Sequence, residues 1–504
     1  MVLGEFPVSE EAYSKEFSTC VRREFPGLAD SPYLDTACIG IAPVRAVRAV
    51  TDLAQTAQYR HAESGTAMHA RLNEMRAAAR PLAARLIGAD AADIALVEST
   101  THGLKTALES LPLRPGDHVL LPDLEFIQLG VACRQLADRG VEVRTVPHDE
   151  AGRVTADAVR ACLTPEVKAL AISSVQWTNG FRADLAALSE LCRDRDVWLV
   201  VDAAQHLGAL PMNVRLTPVD ILVCGGHKWL CSPFGTGFMY LAPRARERLR
   251  RPIAGFFAAI PPARTWGEAF LRTDITPLGE YEFTDDAVAW EIGGTGNYPG
   301  AAGLSAALSL ALELRPERVE EHVRYLTDHL ADGLDRLKLT VVSPREHRHR
   351  SGILTFGTGS PQADVALMRR LVAAGVAVSA RFVSGVGGVR VSCHHYTTAR
   401  DVDLLLETAA AWQRRPGRPC GRTPRGSAIV GQRALIDALD DDLIGLITAR
   451  GGVSRGIRLS RLQAALARTD LARERAVIER YHRGLGQDGT RLALELLRMC
   501  RGDT

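Results

Sequence analysis

Trp198-Leu-Val-Val-Asp202 and Asp220-Ile-Leu-Val-Cys224-Gly-Gly-His-Lys228 are two apolar runs near the middle of the chain, and each leads into polar residues. Short, β-branched apolar runs are typical of parallel strands that are buried on both faces. The carboxyl ends of such strands form the edge at which α/β proteins present ligand-binding groups. The sequence therefore predicts an α/β fold in which Asp202 and Lys228 face one pocket.

Asp202 and Lys228 are the two side chains that pyridoxal 5′-phosphate (PLP) chemistry needs most. A carboxylate can keep the nitrogen of a pyridine ring protonated, and a lysine amine can form an imine with the cofactor aldehyde. The alternative is that Asp202 caps a helix and that Lys228 is a solvated surface lysine. The pair therefore predicts a cofactor, PLP, and does not by itself identify a substrate.

A possible phosphate site lies upstream, where a predicted strand, 94–97, leads through Glu98-Ser-Thr-Thr-His-Gly103 into an amphipathic segment. Hydroxyls and unpaired backbone N–H groups at a helix start bind anions, and the helix dipole strengthens the site. Thr100 and Thr101 are therefore phosphate candidates. The alternative is an ordinary helix N-cap.

These motifs, in this order, resemble the class V branch of the fold type I PLP enzymes over roughly residues 30 to 412. The branch includes class V aminotransferases, cysteine desulfurases, kynureninase and isopenicillin N epimerase-like proteins. The resemblance implies a large domain with a mixed, mostly parallel sheet and a smaller α/β domain. It assigns cofactor attachment to Lys228, the pyridinium nitrogen to Asp202, the phenolic oxygen to Gln176 and Gln205, the ring face to Phe126, and the phosphate to His227.

Gly225 replaces a serine that the family often uses to bind phosphate, so one contact is expected to be weaker. Phe126 has the alternative of being a plain core phenylalanine.

The segment Trp290-Glu-Ile-Gly-Gly-Thr-Gly-Asn297 is similar to the family's glycine-threonine loop, which reaches the phosphate of the neighbouring subunit. Glycines let the backbone approach an anion closely, so Gly294 and Thr295 fit that role. The resemblance implies a homodimer with shared active sites. A simple loop is the alternative.

Arg390, in Val389-Arg-Val-Ser392, matches the arginine that holds the substrate carboxylate in this family. A guanidinium fork matches a carboxylate with two hydrogen bonds, which predicts an amino or keto acid substrate. A structural salt bridge is the alternative. The stretch 376–388 just before Arg390 contains no cysteine, whereas persulfide-forming desulfurases carry one there, and this disfavours that activity.

The composition excludes several classes of protein. With 504 residues, 46% of them hydrophobic, the chain can form a large core, and its net charge of +2 does not favour nucleic acid or membrane binding. Ten cysteines without a C-x-x-C pair predict reduced thiols and no metal site. No signal pattern or spanning apolar run is present, so we expect a cytoplasmic enzyme acting on small molecules.

The chain is predicted to have three parts. Residues 1–412 form the PLP-dependent region, with a large domain at about 40–310 and a small domain at about 311–412 that includes the N-terminal segment. Residues 413–428, rich in proline, glycine and arginine, form a linker. Residues 429–504 show helical periodicity only.

The segment 429–502 resembles the three-helix AroQ-type chorismate mutases. Several arginines that converge on a helical pocket could hold the two carboxylates of chorismate in a folded geometry. The residues that the resemblance assigns to this chemistry are Arg433, Arg450, Arg461, Asp470, Arg473 and Glu474. Arg461 replaces the usual lysine, and the usual glutamine near the end of the last helix has no counterpart.

The sequence thus predicts a bifunctional enzyme. Its PLP domain is expected to transform an amino or keto acid by transamination, coupled to a mutase-type rearrangement of chorismate or an aminated analogue. The alternative is a PLP-dependent lyase or epimerase whose helical domain serves only oligomerisation or regulation.

Overall fold

The computed structural model describes residues 10–28, 32–59, 63–253, 255–414, 443, 447, 450–454, 457 and 471–501. The chain divides into two compact units, Met1–Trp412 and Gln413–Thr504. Within the described helices, no stretch is long and apolar enough to cross a bilayer.

A seven-stranded sheet forms the centre of the first unit. The strands are β1 (Ile94–Val97), β2 (His118–Pro122), β3 (Glu142–Val146), β4 (Val167–Ser173), β5 (Trp198–Asp202), β6 (Ile221–Gly225) and β7 (Gly237–Leu241). Their order is β1-β7-β6-β5-β4-β2-β3, and only β7 runs antiparallel to its two neighbours. The predicted mixed, mostly parallel sheet is confirmed.

Helices surround this sheet, and its central strands are buried along their whole length. Burial on both faces explains why β5 and β6 are continuous apolar runs without polar alternation. The α-helices of the first unit are α1 (Glu10–Arg22), α2 (Val44–Tyr59), α3 (Gly65–Ala77), α4 (Ala79–Ile87), α5 (Thr100–Ser110), α6 (Ile127–Arg134), α7 (Ala156–Cys162), α8 (Leu185–Asp194), α9 (Pro243–Arg246), α10 (Trp266–Ala269), α11 (Tyr298–Leu314), α12 (Pro316–Arg336), α13 (Pro361–Ala373) and α14 (Ala399–Gln413).

A second, antiparallel sheet follows in the chain and carries Arg390. It contains β8 (Thr340–Val341), β9 (Ile353–Gly357), β10 (Ser379–Val383) and β11 (Val386–Ser392), in the order β10-β11-β9-β8. The N-terminal segment joins this sheet, because Leu34 N–H donates to Ala377 O at 2.9 Å and Ser392 N–H donates to Leu34 O at 2.8 Å. Residues from both ends of the first unit therefore meet at this sheet.

The described part of the second unit is helical. Helix α15 (Leu471–Arg501) breaks at Gly486, whose φ of 64° and ψ of −142° lie outside the helical region. Glycine suits this conformation because it has no Cβ. Most of the first predicted helix of this unit, 434–447, lies outside the described residues.

Candidate active site

Lys228 and Asp202 lie together at the carboxyl edge of the large sheet. Asp202 is the last residue of β5, and Lys228 follows the end of β6 by three residues. Ala204 N–H donates to Asp202 Oδ1 at 2.8 Å, and Asp202 interacts electrostatically with Lys228. The structure brings the two predicted groups to one place.

Burial dominates the electrostatics of this pair. It raises the pKa of Asp202, while the Ala204 N–H and Lys228 act in the opposite direction. Burial lowers the pKa of Lys228, and Asp202 opposes that change. A lysine with a lowered pKa has a larger neutral fraction, which is the form that attacks an aldehyde or accepts a proton.

Phe126 covers one side of the same pocket. The Lys228 Nζ lies 5.5 Å from the centre of the Phe126 ring, and Trp177 meets that ring edge-on at 5.3 Å between ring centres. The side chain is 40% exposed, so the alternative of a plain core phenylalanine does not describe it. An open aromatic face beside the lysine suits a flat ring.

The predicted phosphate residues lie at the start of α5. Ser99 is the N-cap and accepts from His102 N–H at 3.0 Å, so the ordinary capping role belongs to Ser99. Thr100 Oγ1 is buried and has no hydrogen-bond partner, whereas Thr101 is exposed. A buried hydroxyl without a partner at a helix N-terminus is expected where a bound anion provides the missing hydrogen-bond acceptor.

Gly225 is explained by its neighbour Thr100. A Cβ built on Gly225 would lie 2.4 Å from Thr100 Oγ1. The Thr100 hydroxyl therefore occupies the space that a side chain at position 225 would need. The glycine was expected to weaken one phosphate contact, but the Thr100 hydroxyl at the start of α5 lies at the same place.

His227 lies between Gly225 and Lys228 and is half-buried. Burial and the neighbouring Lys228 lower its pKa. Its ring centre lies 6.3 Å from that of Phe234. A neutral imidazole in this position can donate one hydrogen bond to a phosphate oxygen.

The two predicted glutamines differ in their surroundings. Gln205 Nε2 donates to Ala37 O at 2.9 Å, and Gln205 Oε1 accepts from Trp229 Nε1 at 2.7 Å. Gln205 therefore connects the N-terminal segment to the residue after Lys228. Gln176 Oε1 is buried without a partner, so Gln176 is the better candidate for a contact with the cofactor.

Glu125 is a site residue that the sequence analysis missed. It is buried, and its carboxylate accepts from Ser173 N–H at 2.7 Å, Ser173 Oγ at 2.5 Å and Gln176 Nε2 at 3.0 Å. Burial raises its pKa to about 7, and the like charge of Asp202 acts in the same direction. Its position directly before Phe126 was the only available signal.

Gly294 and Thr295 lie in a loop that begins at a buried ion-pair cluster. Glu291 accepts hydrogen bonds from Arg76, from Arg80 at 3.0 Å and from Leu96 N–H at 2.8 Å. Gly294 has a φ of +92°, which favours glycine, and Thr295 is exposed. A loop that is anchored at Glu291 and exposed at Thr295 can contact another molecule. The active site shared between two subunits stays a prediction.

Arg390 forms the structural salt bridge that was the alternative to a substrate-binding role. It is 2% exposed, and its Nη2 donates to Asp35 Oδ1 at 3.2 Å while its Nη1 donates to Trp177 O at 2.8 Å. The salt-bridge alternative is therefore present. The Arg390 Nε is buried without a partner, however, so one donor remains for a ligand.

Two further groups lie beside Arg390, and sequence reasoning did not identify them. Arg381 Nη2 donates to Cys38 Sγ at 3.7 Å, and Arg381 and Cys38 both interact electrostatically with Arg390. Cys38 also interacts with Lys228. A second guanidinium and a thiol thus line the pocket next to the lysine.

These features fit PLP. Lys228 can bind the aldehyde of that molecule, Asp202 can pair with its ring nitrogen, and Phe126 can cover its ring face. Two buried atoms without a hydrogen-bond partner remain: Thr100 Oγ1 suits the phosphate, and Gln176 Oε1 lies on the amide that suits the phenolic oxygen.

The residues assigned to chorismate chemistry are only partly described. Arg433, Arg461 and Asp470 lie outside the described residues. Arg450 Nη1 donates to Leu496 O at 3.3 Å. On α15, Arg473 is exposed and Glu474 is half-buried.

Known proteins resemble the first unit. A "Probable cysteine desulfurase" of Methanothermobacter thermautotrophicus is 26% identical over 401 residues, covering 77% of this chain and 96% of the relative. The "Isopenicillin N epimerase" of Streptomyces clavuligerus is 30% identical over 346 residues, covering 66% of this chain and 83% of the relative.

Solved structures share the fold. A cysteine desulfurase from Thermococcus onnurineus NA1 superimposes with a TM-score of 0.68 at 21% identity, covering 82% of this chain and 99% of that one. The cystine C-S lyase C-DES, in complex with its product cysteine persulfide, also gives a TM-score of 0.68, at 24% identity, covering 77% of this chain and 99% of that one.

The family model "Aminotransferase class-V" matches residues 32–405, which include every pocket residue described above. PLP is the cofactor of this family. The resemblance to the class V branch is confirmed, and the chain belongs to the class V aminotransferase family of PLP-dependent enzymes.

Proposed function

We propose that the first unit removes a proton from the α-carbon of an amino acid, with Lys228 as the base. The observation that carries this proposal is the buried pair of Lys228 and Asp202 beside the open face of Phe126. A lysine whose pKa is lowered by burial is closer to the range in which a general base works best. PLP, when bound, supplies an electron-withdrawing ring that accepts the electron pair left on the α-carbon.

Residues on the other side of the pocket support an α-amino acid as the substrate. Arg390 retains an unpartnered Nε, and Arg381 places a second guanidinium nearby. Two guanidinium groups can orient a carboxylate and fix which face of the α-carbon meets Lys228.

Transamination is the reaction that we propose first, because it requires no group beyond the base, the carboxylate receiver and the cofactor. The test is to add single amino acids to the holoenzyme and to record the absorbance of the bound cofactor. Conversion to the amine form of the cofactor with release of a keto acid supports transamination. Reaction without that conversion argues for a lyase or an epimerase.

The thiol of Cys38 favours a second candidate, desulfuration of cysteine. In this reaction the Cys38 thiolate attacks the sulfur of bound cysteine, the bond between that sulfur and Cβ breaks, and a persulfide forms on Cys38. The electron pair released to carbon takes up a proton, so cysteine and a thiol become alanine and a persulfide. The stretch 376–388 lacks a cysteine, but Cys38 lies beside Arg381 and interacts with Lys228.

Alanine and sulfide assays distinguish these candidates. Desulfuration predicts equal amounts of alanine and persulfide sulfur from cysteine, and loss of both in Cys38→Ser. Pyruvate and sulfide formation that survives in Cys38→Ser would instead support a simple lyase.

For the second unit we propose the chorismate rearrangement that its resemblance implies, coupled to the PLP-dependent reaction. Arg450 and Glu474 are the carried-over residues that are described and not fully exposed. The coupling is tested by incubating the intact protein with chorismate, with and without an amino donor. Consumption of chorismate supports the proposal, whereas unchanged chorismate in both mixtures leaves oligomerisation or regulation as the role of this unit.

We also propose a homodimer in which the Gly294–Thr295 loop reaches the phosphate of the neighbouring active site. Mixing Lys228→Ala with Thr295→Trp protein tests it. If the sites are shared, the mixed dimer contains one site with neither substitution and regains part of the activity.

A further inference from the structure

The carboxyl group of Glu125, the residue before Phe126 in the chain, is buried, and its hydrogen bonds come from neutral donors. Ser173 provides two of them, at 2.7 Å and 2.5 Å, and Gln176 Nε2 provides a third at 3.0 Å. Ser173 lies next to Asp202 in the sheet, since these two residues are register partners of β4 and β5. Glu125 is therefore linked to the cofactor pocket through two of its neighbours.

The charged and titratable groups that act on Glu125 come from the neighbouring elements. Burial raises the pKa of Glu125 to about 7, the like charge of Asp202 on β5 acts in the same direction, and the hydrogen bonds from Ser173 and Gln176 oppose the rise. Cys133 on α6 is neutral in this range, because burial and Glu125 raise the pKa of its thiol to about 12. Glu125 can therefore gain or lose its proton near neutral pH.

The amide of Gln176 has one donor end and one acceptor end. Its Nε2 donates to Glu125, while its Oε1 is buried and unpartnered. An ionised carboxylate can only accept hydrogen bonds, so it selects the NH₂ end of the amide. A protonated carboxyl has an O–H that can donate to Oε1, and the amide can then turn over and release its NH₂ end.

We propose that Glu125 is a positioning residue, whose protonation state decides which end of the Gln176 amide faces the bound cofactor. The inference rests on the proposed function, because it takes Gln176 to lie beside the phenolic oxygen of PLP. When Glu125 is ionised, the carbonyl oxygen of the Gln176 amide faces the phenolic oxygen of PLP. When Glu125 is protonated, Gln176 donates a hydrogen bond to it and stabilises its negative charge.

A spectroscopic titration tests this inference without measuring turnover. The absorbance of the lysine-bound cofactor is recorded against pH for the wild type, Glu125→Gln and the control Glu142→Gln, an exposed glutamate on β3. The amide of Gln at position 125 can donate permanently to Gln176 Oε1. We expect the midpoint of the absorbance change to fall by about one pH unit in Glu125→Gln and to stay in place in the control.

Gln176→Ala provides the second arm. If Glu125 acts through Gln176, adding Glu125→Gln to Gln176→Ala shifts the midpoint no further. Equal shifts in both backgrounds, or no shift in either, would overturn the inference while leaving the proposed function intact. Should Glu125→Gln fail to fold, an unchanged midpoint in Gln176→Ala alone would overturn it. If the wild type shows no absorbance that depends on Lys228, the proposed function itself is wrong and the inference falls with it.

Discussion

The two sides of the pocket are built in different ways. The cofactor side, formed by Thr100, Asp202 and Lys228, consists of residues at or within three positions of a strand end in one sheet. The substrate side, formed by Asp35, Cys38, Arg381 and Arg390, joins segments separated by more than three hundred residues, as in the hydrogen bond from Arg390 to Asp35.

The comparison separates groups that are positioned by local structure from groups that are positioned by tertiary contacts. On the cofactor side, each functional group is placed by a strand and the turn that follows it. On the substrate side, each group depends on how the small sheet and the N-terminal segment meet. The cofactor side should therefore determine whether chemistry occurs at all, and the substrate side which molecule reacts.

Lys228→Ala is the substitution with the largest expected effect. Loss of the base and of the attachment point should reduce kcat by about 10²- to 10⁴-fold. The protein should also lose the absorbance of the covalently bound cofactor while its far-UV circular dichroism remains unchanged. Retention of most activity would contradict the role of the cofactor side.

Asp202→Asn keeps the shape of the side chain and removes its charge. The ring nitrogen would lose a charge-assisted hydrogen bond, so kcat should fall by about 10- to 100-fold. Steady-state kinetics at saturating cofactor measures this effect. A change in KM alone would show that Asp202 acts on the substrate instead of the cofactor.

Gly225→Ser should weaken cofactor binding by about tenfold, because its Cβ would lie too close to Thr100 Oγ1. The effect is measured as the Kd for PLP. The double variant Thr100→Ala with Gly225→Ser removes the steric conflict and restores one hydroxyl, so its Kd should return toward that of the wild type. If the double variant binds no better than Gly225→Ser, the explanation for Gly225 is wrong.

Arg381→Gln addresses the substrate side. Loss of one of two guanidinium groups should raise KM by roughly tenfold with a smaller change in kcat, since a single hydrogen bond to a charged group is removed. Arg369→Gln, on α13, is the matched control and should change neither constant. If kcat in Arg381→Gln falls by as much as KM rises, Arg381 acts on the cofactor side of the pocket.

The last effect concerns the pH dependence of stability and not the rate of the reaction. Because the pKa of Glu125 is about 7 in the folded protein and 4.5 ordinarily, the folded state holds an extra proton between these values. Stability should therefore fall as pH rises through this interval, by at most about 3 kcal/mol. Glu125→Gln should show a shallower fall of Tm between pH 5 and pH 8, and identical slopes would argue that Glu125 titrates normally.

The sequence was most informative where a functional residue lies at or just after the end of a strand. The runs ending at Asp202 and leading to Lys228 predicted both the sheet and the two reactive groups, because burial on both faces imposes an apolar pattern. The strand 94–97 and the helix after it were identified from similar local signals.

Other residues could not be found in this way. Cys38 and Arg381 carry no local pattern, and they become functional candidates only because the N-terminal segment packs beside β10 and β11. Glu125 looked like any acidic residue in a turn, and only its burial and its contact with Gln176 distinguish it. The partner contacts of Arg390 likewise depend on a residue far away in the chain.

The pairing of Leu34 with Ala377 and Ser392 has a consequence for biosynthesis. During translation all seven strands of the large sheet are present once β7 has been made, but the residues that pair with the N-terminal segment are complete only at residue 392. A nascent chain of intermediate length would thus contain Lys228 while lacking Arg381 and Arg390, which we propose to bind the substrate. The residues proposed to select the substrate are therefore made after Asp202 and Lys228.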